Sequence, residues 1–274
     1  DKLVTGVQTC ALPIWSGRID GDTAMSAASW TAARYAAGAG LAAAEALDRG
    51  EGTAAFCVVR PPGHHAERDR AMGFCLLDNV AVLAAALRDR GLRVLILDWD
   101  AHHGNGTQDI FWSDPEVCVV SLHQSPLYPG TGSLAERGAG PGTGMTVNIP
   151  LPAGATGDVY AAAFAEVVEP VVEGFGPDWL VISAGFDAHR DDPLTGLGLT
   201  AGDFGWMAAR ALRWVGPGRT VAMLEGGYDL DALTASAGAT AAGLLGCSIT
   251  TEAPSSGGPG AAAVAAARAA HLPG

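Results

Sequence analysis

Residues 93–106 read RVLILDWDAHHGNG, so two acids and two histidines directly follow an apolar run. The apolar run, Val94–Leu97, predicts a buried strand, because strands that are covered on both faces are apolar throughout. In a sheet of parallel strands, ligands bind beyond the carboxyl ends of the strands. The stretch therefore predicts a parallel sheet with a polar site at the edge where this strand ends.

From about Ser26 onward, alanine-rich helical stretches alternate with short β-branched runs. This rhythm predicts parallel strands joined by right-handed helical crossovers. The predicted strands are Ala54–Val59, Val94–Leu97, Val117–Leu122, Thr146–Ile149, Leu180–Ser183 and Thr220–Leu224. The predicted helices are Trp30–Leu47, Asn79–Arg90, Val159–Glu173, Asp203–Trp214, Leu230–Leu245 and Ala261–Ala270. We expect an α/β fold, specifically a three-layer α/β/α sandwich with a mainly parallel sheet.

The bulk composition favours one large domain and argues against several classes of partner. The 274 residues are 49% hydrophobic, which is enough to bury a full core. Since the formal net charge is -13 with only 16 lysines and arginines, we expect no nucleic-acid partner. No apolar run approaches the roughly 20 residues of a membrane helix, so we expect no membrane partner. Five cysteines without CxxC spacing indicate the reducing cytoplasm, and the sequence is compatible with a homo-oligomer.

Polar and titratable residues follow five of the apolar runs. These groups are Arg60–His65, Asp98–His103, Ser121–His123, Asp187–His189 and Glu225–Tyr228. Because the carboxyl ends of parallel strands share one edge of the sheet, we expect the groups to gather there.

Two acids and a histidine are the candidate metal ligands. Residues i and i+2 of an extended segment point the same way, so Asp100 and His102 can reach one ion. Asp187, which follows a later strand, is the candidate third ligand. Such a set with open positions suits Zn²⁺, and its oxygen-rich character would also accept Fe²⁺, Co²⁺ or Mn²⁺. Two carboxylates neutralise a divalent ion, so the site needs a separate base to activate water.

The adjacent pair His64 and His65 is the candidate base, held by a rigid turn of two prolines and a glycine. Asp98 and Asn105 can each accept an imidazole N–H and fix its tautomer. Tyr228 follows two glycines that let the backbone come close. Its phenol either stabilises an oxyanion or packs under a loop, and the residues alone leave both open.

Six segments in order resemble the zinc-dependent histone deacetylase superfamily: RPPGHHA, GFCLLDN, LDWDAHHGNGT, SLHQSPLYPGTG, SAGFDAHRDDPL and LEGGYD. The similarity is to its class II branch, with bacterial deacetylases and acetylpolyamine amidohydrolases, and it runs from about Asp20 to Leu245. It implies the arginase–deacetylase α/β sandwich. It also implies that Asp100, His102 and Asp187 are the zinc ligands.

The resemblance implies further roles around the metal. His64 and His65 match the family's histidine dyad, with Asp98 behind His64 and Asn105 behind His65. Tyr228 matches the catalytic tyrosine. The positions that match substrate-binding residues are Gly73, Phe74 and Tyr128 in the walls of the acetyl-lysine tunnel and Asp22 at its rim.

A structural K⁺ is the second ion that the resemblance implies. Family members hold it through backbone oxygens and one hydroxyl group. The matching positions are Asp98, Asp100, His102 and Leu122 for the backbone and Ser121 for the hydroxyl.

We expect a metal-dependent amidohydrolase that removes acetyl groups from acetyl-lysine peptides or acetylpolyamines. The metal and Tyr228 would polarise the amide carbonyl, while His65 takes a proton from the attacking water and His64 mainly tunes charge. A dinuclear-manganese ureohydrolase is an alternative, although it requires a further carboxylate at position 189, which is histidine. A non-catalytic binder of acetylated ligands is a third hypothesis.

We interpret residues 1–19 as an adaptor-like or foreign segment. The first 15 residues, DKLVTGVQTCALPIW, are similar to translated sequencing-adaptor read-through. We expect residues 20–274 to form a deacetylase catalytic domain that is truncated at its N-terminus, since family members usually carry further residues before this point.

Overall fold

The computed structural model describes residues 16–272 apart from 248, 250 and 251. Of the interpreted foreign segment 1–19, residues 1–15 therefore lie outside the described residues. A short antiparallel pair comes first, β1 (Gly17–Arg18) and β2 (Ala24–Met25). The main sheet contains β3 (Ala55–Cys57), β4 (Val94–Asp98), β5 (Val117–Gln124), β6 (Thr146–Leu151), β7 (Trp179–Ala184) and β8 (Thr220–Leu224). Each predicted strand is present.

The six strands of the main sheet lie in the order β3-β8-β7-β4-β5-β6, and all neighbours are parallel. The parallel sheet expected from the sequence is confirmed. From β4 the chain builds the sheet first towards β6 and later in the opposite direction, through β7 and β8. Ligand sites of parallel sheets lie at such a switch in strand order, and the carboxyl end of β4 occupies it here.

Helices cover both faces of the sheet. They are α1 (Ser29–Asp48), α2 (Asn79–Arg88), α3 (Asn105–Phe111), α4 (Gly157–Ala163), α5 (Glu169–Phe175), α6 (Ala201–Ala211), α7 (Leu230–Leu244) and α8 (Ala261–His271). Alternate residues of β4 face opposite layers: Val94 and Ile96 pack with α1, α2 and α3, whereas Leu95 and Leu97 pack with α4 to α8. The three-layer sandwich is confirmed.

Two helical regions differ from the prediction. Helix α3 was not predicted, because it begins in the glycine-containing segment Gly104–Gly106. The predicted helix Val159–Glu173 is present as α4 and α5 joined by a π-helical turn, Phe164–Val168. Pro170, two residues beyond the end of the turn, has no backbone hydrogen to donate and so disturbs a regular helical ladder. Among the described residues, no helix combines the length and apolar character needed to cross a membrane.

Candidate metal centre and active site

The loops that follow four strands of the sheet meet above the carboxyl end of β4. The loop after β3 carries His64 and His65, and the loop after β8 carries Tyr228. Asp100 and His102 follow β4, and Asp187 follows the adjacent β7. The sheet order therefore brings together residues that are distant in the sequence.

Asp100, His102 and Asp187 form a buried cluster whose ligand atoms all lie within 4.8 Å of one another. Nδ1 of His102 lies 3.2 Å from Oδ1 of Asp100 and 2.8 Å from Oδ2 of Asp187. Zinc–nitrogen and zinc–oxygen bonds of about 2.0–2.1 Å keep tetrahedral ligand atoms roughly 3.3 Å apart. These three atoms are thus spaced as ligands of one ion.

The backbone orients both carboxylates of the cluster. The N–H of Gly226 donates to Oδ2 of Asp100 at 2.8 Å, and the N–H of Ala101 donates to Oδ1 of Asp187 at 2.8 Å. The other oxygen of each carboxylate faces Nδ1 of His102, and Oδ1 of Asp100 also accepts from the backbone N–H of His102 at 2.8 Å. A side chain at Gly226 would place its Cβ less than 3.0 Å from oxygens of both acids, so this close approach requires glycine.

The electrostatics of the cluster favour a cation. Burial raises the pKa of Asp187 to about 6, and the charge of Asp100 contributes to this rise. Burial lowers the pKa of His102, but hydrogen bonds to Asp100 and Asp187 outweigh it and bring that pKa to about 10. Positive charge is therefore stabilised between the two carboxylates, which is the preference that a divalent ion would satisfy. The residues present fit such an ion.

The two histidines of the dyad lie side by side, with ring centroids 4.1 Å apart, and each is held by a different partner. Nδ1 of His64 donates to Oδ2 of Asp98 at 2.9 Å, and Nδ1 of His65 donates to Oδ1 of Asn105 at 2.8 Å. These are the pairings that the sequence suggested. In both rings the Nδ1 proton is engaged, which leaves Nε2 to face the cluster.

The two imidazoles differ in charge. Burial lowers the pKa of both rings. At His64 the charges of Asp100 and Asp98 outweigh burial and hold the pKa well above its usual range. At His65 the positive charge of His64 adds to the effect of burial, and the pKa lies well below its usual range. These opposite shifts favour a protonated His64 beside a neutral His65.

A cavity of about 180 Å³ leads to this cluster. Its lining includes His64, His65, Asp100 and His102 as well as four residues predicted to contact substrate, Asp22, Gly73, Phe74 and Tyr128. Tyr228 also lines it, with its ring centroid 6.0 Å from that of Phe74. Phe74 is 40% exposed and Tyr128 37%, so these two aromatic rings stand where the cavity opens to solvent.

Of the residues predicted to hold K⁺, Asp100 and His102 belong to the metal cluster, whereas Asp98 ends β4 and Ser121 and Leu122 lie in β5. The β4–β5 register pairs Asp98 with Ser121, and both residues are buried. Leu122 is the next residue of β5. The hydroxyl of Ser121 lies 2.9 Å from Nδ1 of His123.

Sequence reasoning assigned no role to three residues that belong to this region. Asp192 accepts a hydrogen bond from the backbone N–H of Tyr228 at 2.8 Å, and Leu194 lines the cavity. Both lie in the segment SAGFDAHRDDPL, whose strand-end position was the available signal. The third is Glu225, which is fully buried. It accepts hydrogen bonds from the backbone of Gly63 and His64, in the loop after β3 that carries the histidine dyad and is called the dyad loop below.

His189, the residue at the position decisive for a second metal ion, belongs to a different cluster. Its Nε2 donates to Oε2 of Glu252 at 2.9 Å, and Glu252 also pairs with the guanidinium of Arg190. His189 therefore makes a structural contact with Glu252 near α6. It provides no carboxylate that could bridge a second metal ion beside Asp187.

A family model described as "Histone deacetylase domain" matches residues 4–244 of the chain. The chain belongs to the histone deacetylase family. The resemblance found in the six sequence segments is thereby confirmed at the level of the superfamily.

Relatives in this family are similar over most of the chain. A "Probable deacetylase" of Archaeoglobus fulgidus is 47% identical over 219 residues, covering 78% of this chain and 61% of the relative. "Histone deacetylase 10, chloroplastic" of Oryza sativa subsp. japonica is 48% identical over 197 residues, covering 70% of this chain and 44% of the relative. The chain thus spans about half the length of these curated relatives.

A solved structure, "Crystal Structure of HDA15 HD domain", superposes with a TM-score of 0.84 at 40% sequence identity. The superposition covers 93% of this chain and 70% of that chain. The sandwich described above is therefore the fold of a histone deacetylase domain.

Proposed function

We propose that the protein is a metal-dependent deacetylase that hydrolyses acetylated amines. The observation that carries the proposal is that a three-ligand cluster and a pair of adjacent histidines, held by Asp98 and Asn105, meet at one cavity. Family membership supports deacetylation, and the donor set supports zinc, with Fe²⁺ or Co²⁺ as other ions that the same oxygens and nitrogen accept.

A divalent ion held by Asp100, His102 and Asp187 would polarise the amide carbonyl and make water more acidic. His65 is the residue suited to remove a proton from the attacking water, because it is neutral and its Nδ1 proton is engaged by Asn105. The same imidazole can then pass the proton to the departing amine. His64, paired with Asp98, carries the charge that keeps His65 neutral.

Tyr228 supplies the remaining polar group of the reaction. Its ring lines the cavity, and burial raises the pKa of its phenol, so the hydroxyl keeps its proton at neutral pH. A protonated phenol can donate a hydrogen bond to the carbonyl oxygen as negative charge develops there. This role is favoured over simple packing under a loop because Tyr228 shares the cavity with the dyad.

The cavity suits a slender acetylated chain that ends at the cluster. Phe74 and Tyr128 form its aromatic walls, and Asp22 adds a carboxylate among the residues that line it. An acidic rim favours a substrate that carries positive charge elsewhere, which acetyl-lysine peptides and acetylpolyamines both do. We propose these two classes as substrates.

We also propose the structural K⁺ site at the ends of β4 and β5. Its support is the pairing of Asp98 with Ser121 at a buried point of the sheet, where backbone carbonyls and one hydroxyl can surround an ion. Activity that depends on K⁺ over Na⁺ at constant ionic strength would test it.

Two further proposals concern the extent of the catalytic domain and the location of the protein in the cell. We propose that residues 20–274 form the catalytic domain and that the protein works in the cytoplasm. Free thiols at Cys57, Cys75, Cys118 and Cys247 support a reducing compartment. Fractionation of cells that produce the protein would test its location.

The ligand set can be tested with two variants. Asp187→Ala removes a proposed ligand, whereas Glu173→Ala removes an exposed carboxylate on α5 that belongs to no acidic cluster among the described residues. We expect Asp187→Ala to abolish both metal uptake, measured by mass spectrometry, and turnover of an acetyl-lysine peptide and an acetylated spermidine. Glu173→Ala should retain both. Turnover by Asp187→Ala would refute the mechanism, and hydroxamate binding by an inactive parent would instead favour a non-catalytic binder.

A further inference from the structure

Glu225 is a fully buried acid to which the proposed reaction gives no role. It is the first residue after β8 and stands immediately before Gly226, Gly227 and Tyr228. It is not among the residues that line the cavity, so it cannot touch a substrate there. A buried carboxylate is costly unless its contacts compensate for the lost hydration, so these contacts indicate its purpose.

The side chain of Glu225 binds the backbone of the dyad loop. Its Oε2 accepts hydrogen bonds from the N–H of Gly63 at 2.6 Å and from the N–H of His64 at 3.1 Å. In the opposite direction, the guanidinium of Arg60 donates to the backbone carbonyl of Glu225. The dyad loop and the loop of Tyr228 are thus joined by three hydrogen bonds at one residue.

The backbone next to Glu225 is fixed to the metal cluster. The N–H of Gly226 donates to Asp100, and the carbonyl of Gly226 accepts from the N–H of Phe186, beside Asp187. A displacement of Glu225 would therefore be transmitted to the dyad and to both acidic ligands.

The dyad loop has no free space on its other side. A Cβ added at Gly63 would lie less than 3.0 Å from the backbone N of Asn79, at the start of α2. The loop is therefore held between α2 and the carboxylate of Glu225, and the length of that side chain sets the position of His64. We infer that Glu225 is a positioning residue, whose carboxylate fixes the histidine dyad relative to the loop of Tyr228 and the metal ligands.

The expected effect on rate rests on the proposed function. The property to test is reach, meaning how far the acceptor oxygen of residue 225 extends from its backbone. Three variants separate reach, the carboxyl group and shape. Glu225→Gln keeps the reach and an acceptor oxygen but replaces the carboxyl group, whose pKa burial raises to about 8. Glu225→Asp keeps a carboxyl group but is one methylene shorter, and Glu225→Met keeps the approximate shape without an oxygen.

We expect Glu225→Gln to retain kcat within about fivefold, since neutral hydrogen bonds are weaker but similarly placed. Glu225→Asp and Glu225→Met should lose kcat by about 100-fold, the typical cost of misplacing a catalytic group by about 1 Å. KM for an acetyl-lysine peptide should change by no more than about twofold in all three, because the aromatic walls of the cavity, Phe74 and Tyr128, are not bonded to Glu225. Asp203→Asn, at a buried acid outside the cavity, is the control and should lose stability but keep kcat.

The ranking of the variants decides the question even if Glu225→Met does not fold. A Glu225→Asp variant that is as active as Glu225→Gln, or more active, would overturn the inference, because the length of the side chain would then not matter. Equal kcat in all folded variants and the parent would also overturn it.

A second measurement needs no turnover. Amide proton shifts of Gly63 and His64 in NMR spectra report the hydrogen bonds to Glu225 directly. They should stay near parent values in Glu225→Gln and move upfield in Glu225→Asp. If the parent deacetylates nothing but the shifts behave in this way, the proposed function fails while the positioning contact stands. Unchanged shifts in Glu225→Asp would refute the contact itself.

Discussion

Nδ1 of His65 lies 2.8 Å from Oδ1 of Asn105, so a neutral amide rather than a carboxylate holds this imidazole. Asn105→Asp would place a negative charge beside a histidine whose pKa burial holds well below its usual value. A carboxylate stabilises the imidazolium and should raise that pKa. Because a general base must be neutral, activity would be lost as pH falls through this raised pKa. We therefore expect the acidic limb of the kcat/KM profile to move to higher pH.

The control for Asn105→Asp is a substitution of Glu67, which accepts a hydrogen bond from the amide nitrogen of Asn105. Nδ2 of Asn105 donates to Oε1 of Glu67 at 2.7 Å, so Asn105→Asp alone would bring two carboxylates together. Glu67→Gln relieves that repulsion and should not shift the limb by itself. If the double variant showed the parent's profile, His65 would not be the base.

Gly73 packs against the dyad and can be tested by adding a single methyl group. Its φ is 57°, and a Cβ would lie less than 3.0 Å from the ring of His65. Gly91 has a similar φ of 80° but open space around it. Both alanine variants should lose about 1–2 kcal/mol of unfolding free energy to backbone strain. Only Gly73→Ala should also lose kcat, by about 100-fold, through displacement of the imidazole; equal kcat in the two variants would contradict this.

Asp203 stabilises the beginning of α6 without touching the cavity. Its carboxylate accepts from the backbone N–H of Thr200 at 2.9 Å in a capping box, and it also binds Ser255 at 2.6 Å. Asp203→Ala should lower the free energy of unfolding in urea by about 1–2 kcal/mol. The kcat should not change, and a large loss of kcat in a folded variant would show that this helix controls the site.

His123 should make the stability of the protein depend on pH. Burial lowers the pKa of His123 to about 3, whereas an unfolded histidine titrates near 6.5. The unfolded state thus binds more protons as pH falls below about 6.5, so stability should decrease, by about 2 kcal/mol between pH 8 and pH 5.

Urea unfolding of the parent and of His123→Gln at both pH values isolates this contribution. The glutamine variant should be less stable at pH 8, because Ser121 and the carbonyl of Gly132 lose a partner, but it should lose less stability on acidification. Identical losses in the two proteins would mean that His123 is not the responsible group.

The strands could be predicted because their residues are apolar on both faces, as Val94 and Ile96 on one side and Leu95 and Leu97 on the other illustrate. Helix α3 could not, since Gly106 lowers the local helix propensity and the helix depends on tertiary contacts, the packing of Ile110 and Phe111 against the sheet and the hydrogen bond from Thr107 to Asp78. The residues alone indicated Asp98 and Asn105 as partners of the dyad, and the resemblance to the deacetylase superfamily implied which of them holds His64 and which holds His65.

The amino-acid sequence by itself determined which strand ends carry acids, imidazoles and a phenol, because side-chain chemistry and apolar periodicity are local properties. Only the tertiary structure decided which ends are neighbours. Strand β3 pairs with β8, so Glu225 reaches the N–H of Gly63 across 162 residues of sequence. That adjacency follows from the order in which helical crossovers lay strands into the sheet, and no local pattern encodes it.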